Sequence, residues 1–168
     1  MNEHHREIER MFKLFGDDLY HFLVYYKGSH DVEDDVQEVF FRALKSEFRG
    51  DSHPKTWLIG IARRLVIDQR RKKRFLSWLP KPEQPKSPDD ILMEHENIME
   101  AYRAINELKE EYRDVVMLRV ISELSVEETS DVLGWTREKV SRTYYRALKK
   151  LNQNGQEAIK EGGAKLES

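Results

Sequence analysis

Apolar side chains recur along this chain at intervals of three and four, so its pattern predicts helices throughout. From Ile8 to Tyr26, Met11, Phe12, Phe15, Leu19, Phe22 and Leu23 mark the inner stripe of a first helix, with Gly16-Asp17-Asp18 as the place where it could be interrupted. After a turn at Lys27-Gly28-Ser29-His30, a second helix starts at Asp31 or its neighbours, and Val32, Val36, Val39, Phe40 and Ala43 share one face of it. Phe48 to Pro54 (FRGDSHP) reads as a loop. A third helix, KTWLIGIARRLVIDQRRKKR, has Leu58, Ile61, Ala62 and Leu65 as its core stripe. Gly60 in its interior costs roughly 1 kcal/mol relative to Ala and is the position for a bend.

The pattern then breaks. Residues 75–90, FLSWLPKPEQPKSPDD, contain every proline of the chain except Pro54, which suits an extended linker rather than a helix. Trp78 within it is unusual for an inert spacer and suggests that the linker docks on something. Helical pattern resumes at Ile91, with Ile98, Tyr102, Ile105 and Leu108 on one stripe. After a break near Lys109-Glu111, the next helix carries Tyr112, Val115, Val116, Arg119 and Val120.

The sharpest local signal follows. Ser125 with Glu128 three residues on is a capping box, placing a helix start at Val126. Gly134 should end that helix, and Thr136 can cap another that continues to about Leu151. A short helix, tight turn and longer helix predict a helix-turn-helix. In the longer helix, Val140, Tyr144, Ala147, Leu148 and Leu151 form the inward stripe, while Arg137, Lys139, Ser141, Arg142, Tyr145, Arg146 and Lys149 lie largely off it. Arg137 and Lys139 sit where the helix dipole disfavours positive charge, which makes sense if an anion such as DNA is brought to that end. A solvated basic face on an αα-hairpin is the plainer alternative.

Composition narrows the function. The 168 residues carry a net charge of −2, so no global basic field drives nucleic-acid binding, and the charge is instead segregated. The absence of Cys excludes disulfides, thiolate zinc sites and Cys nucleophiles, and the six His are scattered without a metal-ligand cluster. No apolar run approaches membrane-spanning length, and MNEHHREIER lacks a signal peptide's apolar core, so a cytoplasmic location is expected. The second helix crowds Asp31, Glu33, Asp34, Asp35 and Glu38 into its first turns. Phe41 projects on the same flank as Asp34, Gln37 and Glu38, as an interface anchor or as a Phe covered by a neighbouring loop. In the third helix Arg63 and Arg70, like Arg64 and Arg71, are seven apart. With Lys55 and Trp57 nearby they suit a nucleic-acid strand, phosphates pairing with cations and bases stacking on rings. A solvated basic helix end competes.

The stretches DVEDDVQEVFFRAL, KTWLIGIARRLVID and YRDVVMLRVISELSVEETSDVLGWTREKVSRTYYRALKKL, in that order, resemble the extracytoplasmic-function (ECF) group of bacterial RNA polymerase sigma factors. The resemblance implies an all-α protein of two small helical domains joined by the Pro-rich linker. It implies a region 2-like domain at 1–74, a linker at 75–90, a region 4-like domain at 91–153 and a tail at 154–168 whose end is expected to be disordered. It implies core polymerase docking through Asp34, Asp35, Gln37, Glu38 and Phe41. Lys55, Trp57, Arg63, Arg64, Arg70 and Arg71 would act at the −10 element, single-stranded once opened. Arg137, Lys139, Ser141, Arg142, Tyr145 and Arg146 would act at the duplex −35 element. An anti-sigma factor is the further partner implied, and neither cofactor, metal nor membrane insertion is expected. Thr129-Ser130 stand where the family usually has Ile-Ala, which predicts a more polar scaffold core.

Two other classes compete. A one-component transcription regulator would explain the helix-turn-helix but not the acidic and basic helices before it. A recombinase using Tyr144 or Tyr145 would need convergent Arg and His partners, and no His follows His95. No enzymatic activity of its own is therefore expected.

Overall fold

In a computed structural model, residues 2–76 and 96–166 are described, with side chains from 2 to 75 and from 100 to 153. The Pro-rich stretch with Trp78, the restart at Ile91 and the Ile98 side chain lie outside them. Every regular element among the described residues is helical. The chain divides into two compact units, Met1–Glu94 and His95–Ser168.

The first unit packs three helices against one another. α1 (Glu3–Lys27) starts with the Asn2 side chain accepting from the His5 amide, and Gly28, left-handed at φ 73°, ends it. It runs unbroken through Gly16, because one glycine costs less than the buried stripe gains on either side of it. α2 (Glu33–Lys45) begins after Val32, which offers no side-chain cap. α3 (Pro54–Leu76) begins one residue before the expected stretch, proline being tolerated where no intrahelical N–H bond is required, and it continues through Gly60 to two residues past 74. Ile8, Leu19, Phe22, Leu23, Val32, Val39, Ala43, Leu58, Ile59, Ala62 and Val66 fill the space between the three. Phe12 meets Phe40 edge-on at 5.0 Å.

The second unit contains α4 (Glu96–Glu107), α5 (Glu110–Val116), α6 (Val126–Leu133) and α7 (Arg137–Leu166). Between α5 and α6 the chain widens into a π-helical segment, Met117–Ile121, closed by the Ser122 amide on the Met117 carbonyl at 3.0 Å. The wider turn changes which residues face inward. Met117 and Leu118 are both buried, while Val120, expected on the stripe, is 45% exposed. Arg119 donates to the Leu124 carbonyl at 2.5 Å and lies 4.9 Å from the Tyr144 ring centre, joining this segment to the residue before α6 and to the body of α7.

Two expectations for α7 are corrected. Its buried face centres on Val140, Thr143 and Ala147, and Leu148 is 39% exposed. The helix also does not stop near Leu151 but continues to Leu166, with no proline in that stretch to end it.

Candidate functional site

The helix-turn-helix is built by local rules. Ser125 Oγ accepts from the Glu128 amide at 3.0 Å, and Glu128 Oε1 accepts from the Ser125 amide at 3.1 Å. Gly134 adopts φ 67°, and its amide and that of Trp135 both close on the Ser130 carbonyl. The Ser130 hydroxyl returns to the Trp135 carbonyl at 2.5 Å, so this serine fastens the turn. Thr129 is fully buried and its Oγ1 has no hydrogen-bond partner, making the scaffold more polar than an aliphatic one. Thr136 Oγ1 accepts from the Lys139 amide at 3.1 Å and caps α7.

On α7 the cations divide into two groups. Arg137 Nη2 lies 2.8 Å from Glu127 Oε1, and Lys139 Nζ lies 3.8 Å from Glu111 Oε1 and 4.2 Å from the Trp135 ring centre. Ser141, Arg142, Tyr145 and Arg146 are exposed, Tyr145 at 68%. Glu138, exposed in the first turn, continues the Arg142–Tyr145–Lys149 row toward the helix start. Its spacing of four from Arg142 is the signal in the sequence that places it on this row.

In the first unit, α2 turns two different faces to its surroundings. Phe41 is 52% exposed, and Asp34, Gln37 and Glu38 are exposed on its flank. Asp35 is a correction: it is buried, with Oδ2 2.6 Å from Lys27 Nζ and Oδ1 2.6 Å from Gln69 Nε2. It joins α2 to the end of α1 and to α3, because one residue along a helix turns the side chain about 100° from Asp34. Its carboxylate is therefore spent inside the unit, not on the surface.

The six residues expected at the −10 element separate into four places. Arg63, Arg64 and Arg71 line a groove between α2 and α3, joined there by Arg42 and Lys45. Trp57 packs on Phe48 with ring centres 5.0 Å apart, and both border a cleft of about 130 Å³ with Glu47, Arg49, Asp51 and Ser52. Lys55 is half-buried, with Nζ 4.0 Å from Asp18 Oδ1. Arg70 is the second correction. It donates to the Tyr26 carbonyl at 2.8 Å and stacks 4.5 Å from the Tyr26 ring centre, so it holds the last turn of α1 on α3. Its partner by spacing, Arg63, is half-buried, whereas Arg64 and Arg71 are exposed.

Among the described residues there is no group of His, Asp and Glu able to hold a metal ion, and no helix is long and apolar enough to cross a membrane.

The chain resembles known proteins over most of its length. The Sigma-70 region 2 family matches residues 11–75, and the Sigma-70 region 4 family matches residues 98–151. The ECF RNA polymerase sigma factor SigX of Bacillus subtilis is 36% identical over 164 residues, covering 88% of this chain and 84% of SigX. The RNA polymerase sigma factor YlaC of the same organism is 29% identical, covering 90% of this chain and 94% of YlaC. Among solved structures, the sigma factor RpoE of Bartonella quintana, in complex with the anti-sigma factor NepR, is similar in fold. Its TM-score is 0.71 at 22% identity, covering 88% of this chain and 96% of RpoE.

Proposed function

The chain belongs to the ECF group of RNA polymerase sigma factors, and on that premise we propose how its surfaces divide the work of initiation. Residues 1–74 dock on core RNA polymerase and engage the −10 element, residues 75–90 link the two domains, and residues 91–153 read the −35 element. The tail, 154–168, carries no assigned role.

The observation that carries this reading is the exposure of Phe41 beside Asp34, Gln37 and Glu38 on α2. An aromatic half out in water gains by burial only against a partner, and its acidic surround selects a basic one. α2 is therefore the core-docking helix. Asp35 supports it from inside by holding α2 against α1 and α3. On α3, Arg63, Arg64 and Arg71 engage the −10 strand, and the Phe48–Trp57 cleft offers a ring surface for an unstacked base. On α7, Arg142, Tyr145 and Arg146 with Ser141 and Glu138 meet the −35 duplex. Arg137 and Lys139 exchange their exposed acid partners for phosphates or base edges, since such surface pairs are worth only about 0–1 kcal/mol.

The protein is an initiation factor without catalytic chemistry of its own, acting in the bacterial cytoplasm. An anti-sigma factor that covers the α2 flank would keep it from polymerase; the complex formed by the Bartonella RpoE supports such control.

Run-off transcription with purified core polymerase on a promoter library tests the function. The protein should bind duplex promoter DNA poorly by itself and select promoters once core polymerase is added. Tight specific binding without polymerase would instead assign it to one-component regulators. For opening, Arg63→Ala with Arg64→Ala should leave core binding nearly intact and impair transcription from a fully duplex promoter. A template already unpaired across −10 should recover much of the loss. Normal permanganate reactivity of the −10 thymines in this variant would remove both residues from the step.

A further inference from the structure

The first turn of α7 contains an acid that the cations around it leave unpaired. Arg137 pairs with Glu127 of α6 at 2.8 Å, and Lys139 reaches Glu111 of α5 at 3.8 Å. Glu138 stands between them in sequence and is exposed, and among the described residues no ion pair or hydrogen bond engages its carboxylate. Arg142, four residues on and within reach by spacing, is not paired with it either. The cap of the helix is supplied by Thr136, whose Oγ1 accepts from the Lys139 amide at 3.1 Å.

Glu138 also occupies the middle of the outward face. Val140 is fully buried, and two residues turn an α-helix by about 200°, so Glu138 and Arg142 both stand opposite the buried side. Arg137 and Lys139, one residue before and after Glu138, are turned about 100° from it onto the two flanks. A helix laid in the major groove directs its outermost row at the base edges and its flanks at the phosphate walls. An acid in that row is repelled by both walls, so it weakens binding to every sequence unless a base offers it a donor.

Few base edges do. A carboxylate only accepts hydrogen bonds. Guanine presents N7 and O6, and thymine presents O4, all of them acceptors. Adenine offers N6–H beside the acceptor N7, a pair that an amide matches and a carboxylate does not. Cytosine offers its N4 amino group with no acceptor of its own beside it.

We propose that Glu138 is a specificity-determining residue that accepts from the N4 amino group of a cytosine in the −35 duplex and disfavours the other three bases there. This rests on the assignment of α7 to the −35 element, and it names one base pair that this chain requires of that element. Arg142, about 6 Å further along the helix, then acts within about two base pairs of the cytosine.

The test is selection by assembled holoenzyme from a promoter library randomised across the −35 element, with the −10 element held constant. The unaltered protein should enrich a C·G pair at one position by about fivefold or more over each alternative. Glu138→Gln should turn that position toward A·T, since Gln reads adenine N6 and N7, and should leave the other positions as they were. Glu138→Ala should abolish the preference there and raise binding to promoters carrying the other three pairs. Arg142→Ala should act at a different position, within about two base pairs of the first. Melting followed by circular dichroism checks that each variant folds. Unchanged preferences at every position in both Glu138 variants would overturn the assignment and leave the acid as a complement to the helix dipole. Equal strengthening on all sequences in Glu138→Ala would overturn it as well, by showing repulsion from phosphates alone. A change at a position where the unaltered protein selects a pair other than C·G would overturn the choice of cytosine. Unaltered holoenzyme without any preference across the library would instead overturn the assignment of α7 to the −35 element, an outcome distinct from any effect of a Glu138 variant.

Discussion

The two cation-bearing helices treat their charge in opposite ways. On α7 the cations remain on the surface, and where they are paired, as in Arg137–Glu127 at 2.8 Å, both members are more than half exposed. On α3 the spacing of seven places Arg63 with Arg70 and Arg64 with Arg71, yet Arg70 is turned inward onto Tyr26 while Arg64 and Arg71 face the groove. The reading helix thus keeps its charge exchangeable, and the helix of the three-helix unit divides it between structure and surface. The difference comes from what lies beside each cation: Arg70 stands next to the last turn of α1 and satisfies its Tyr26 carbonyl, whereas the carboxylates that Arg137 and Lys139 meet are exposed.

The strongest way to sharpen this contrast is on α2, which has both kinds of face. Phe41→Ala with Glu38→Lys should weaken core polymerase binding by about 100-fold or more, near 3 kcal/mol, without loss of helical circular dichroism. Unchanged affinity would leave the exposed flank without a partner.

Asp35→Ala, from the inward face of the same helix, should instead destabilise the first unit by about 2–3 kcal/mol. Lys27 and Gln69 would both lose their carboxylate, and the partial exposure of Lys27 keeps the cost below that of a fully buried pair. Urea denaturation of the full chain, followed by circular dichroism, reads this directly. If Asp35→Ala spared stability and abolished docking, Asp35 would act at the polymerase contact and not inside the unit.

On α7, Arg142→Ala should change the preference among −35 sequences by about 1–2 kcal/mol, because a base-reading Arg discriminates while a phosphate contact weakens all promoters alike. Equal weakening on every member of a promoter library would show that the exposed row holds backbone rather than reading bases. The smallest effect is expected where neither face is involved. Gly16 is helical, and a Cβ added there meets nothing within 4 Å. Gly16→Ala should therefore stabilise the first unit by about 0.5–1 kcal/mol in the same denaturation experiment.

The sequence by itself determined the features whose causes are local. Ser125 and Glu128 fix the start of α6, Gly134 its end, and Thr136 the start of α7, because capping satisfies backbone groups within three or four residues. The flank that Phe41 shares with Asp34, Gln37 and Glu38 was legible for the same reason, since a 3.6-residue period assigns faces without knowledge of neighbours, but that no loop covers Phe41 was not. Tertiary structure decided the rest. Asp35 and Arg70 carry charges that look alike in sequence to those of Asp34 and Arg71, and only the packing of three helices made one member of each pair internal. The π-helical segment leaves Val120 outward, because a widened turn shifts the faces along it and no period read along the chain registers it. Lys45 and Arg42 joined the α3 cations for a similar reason. Residues some twenty positions apart in sequence share a groove only when two helices pack side by side, and that pairing is set by the burial of their apolar stripes rather than by the charges themselves.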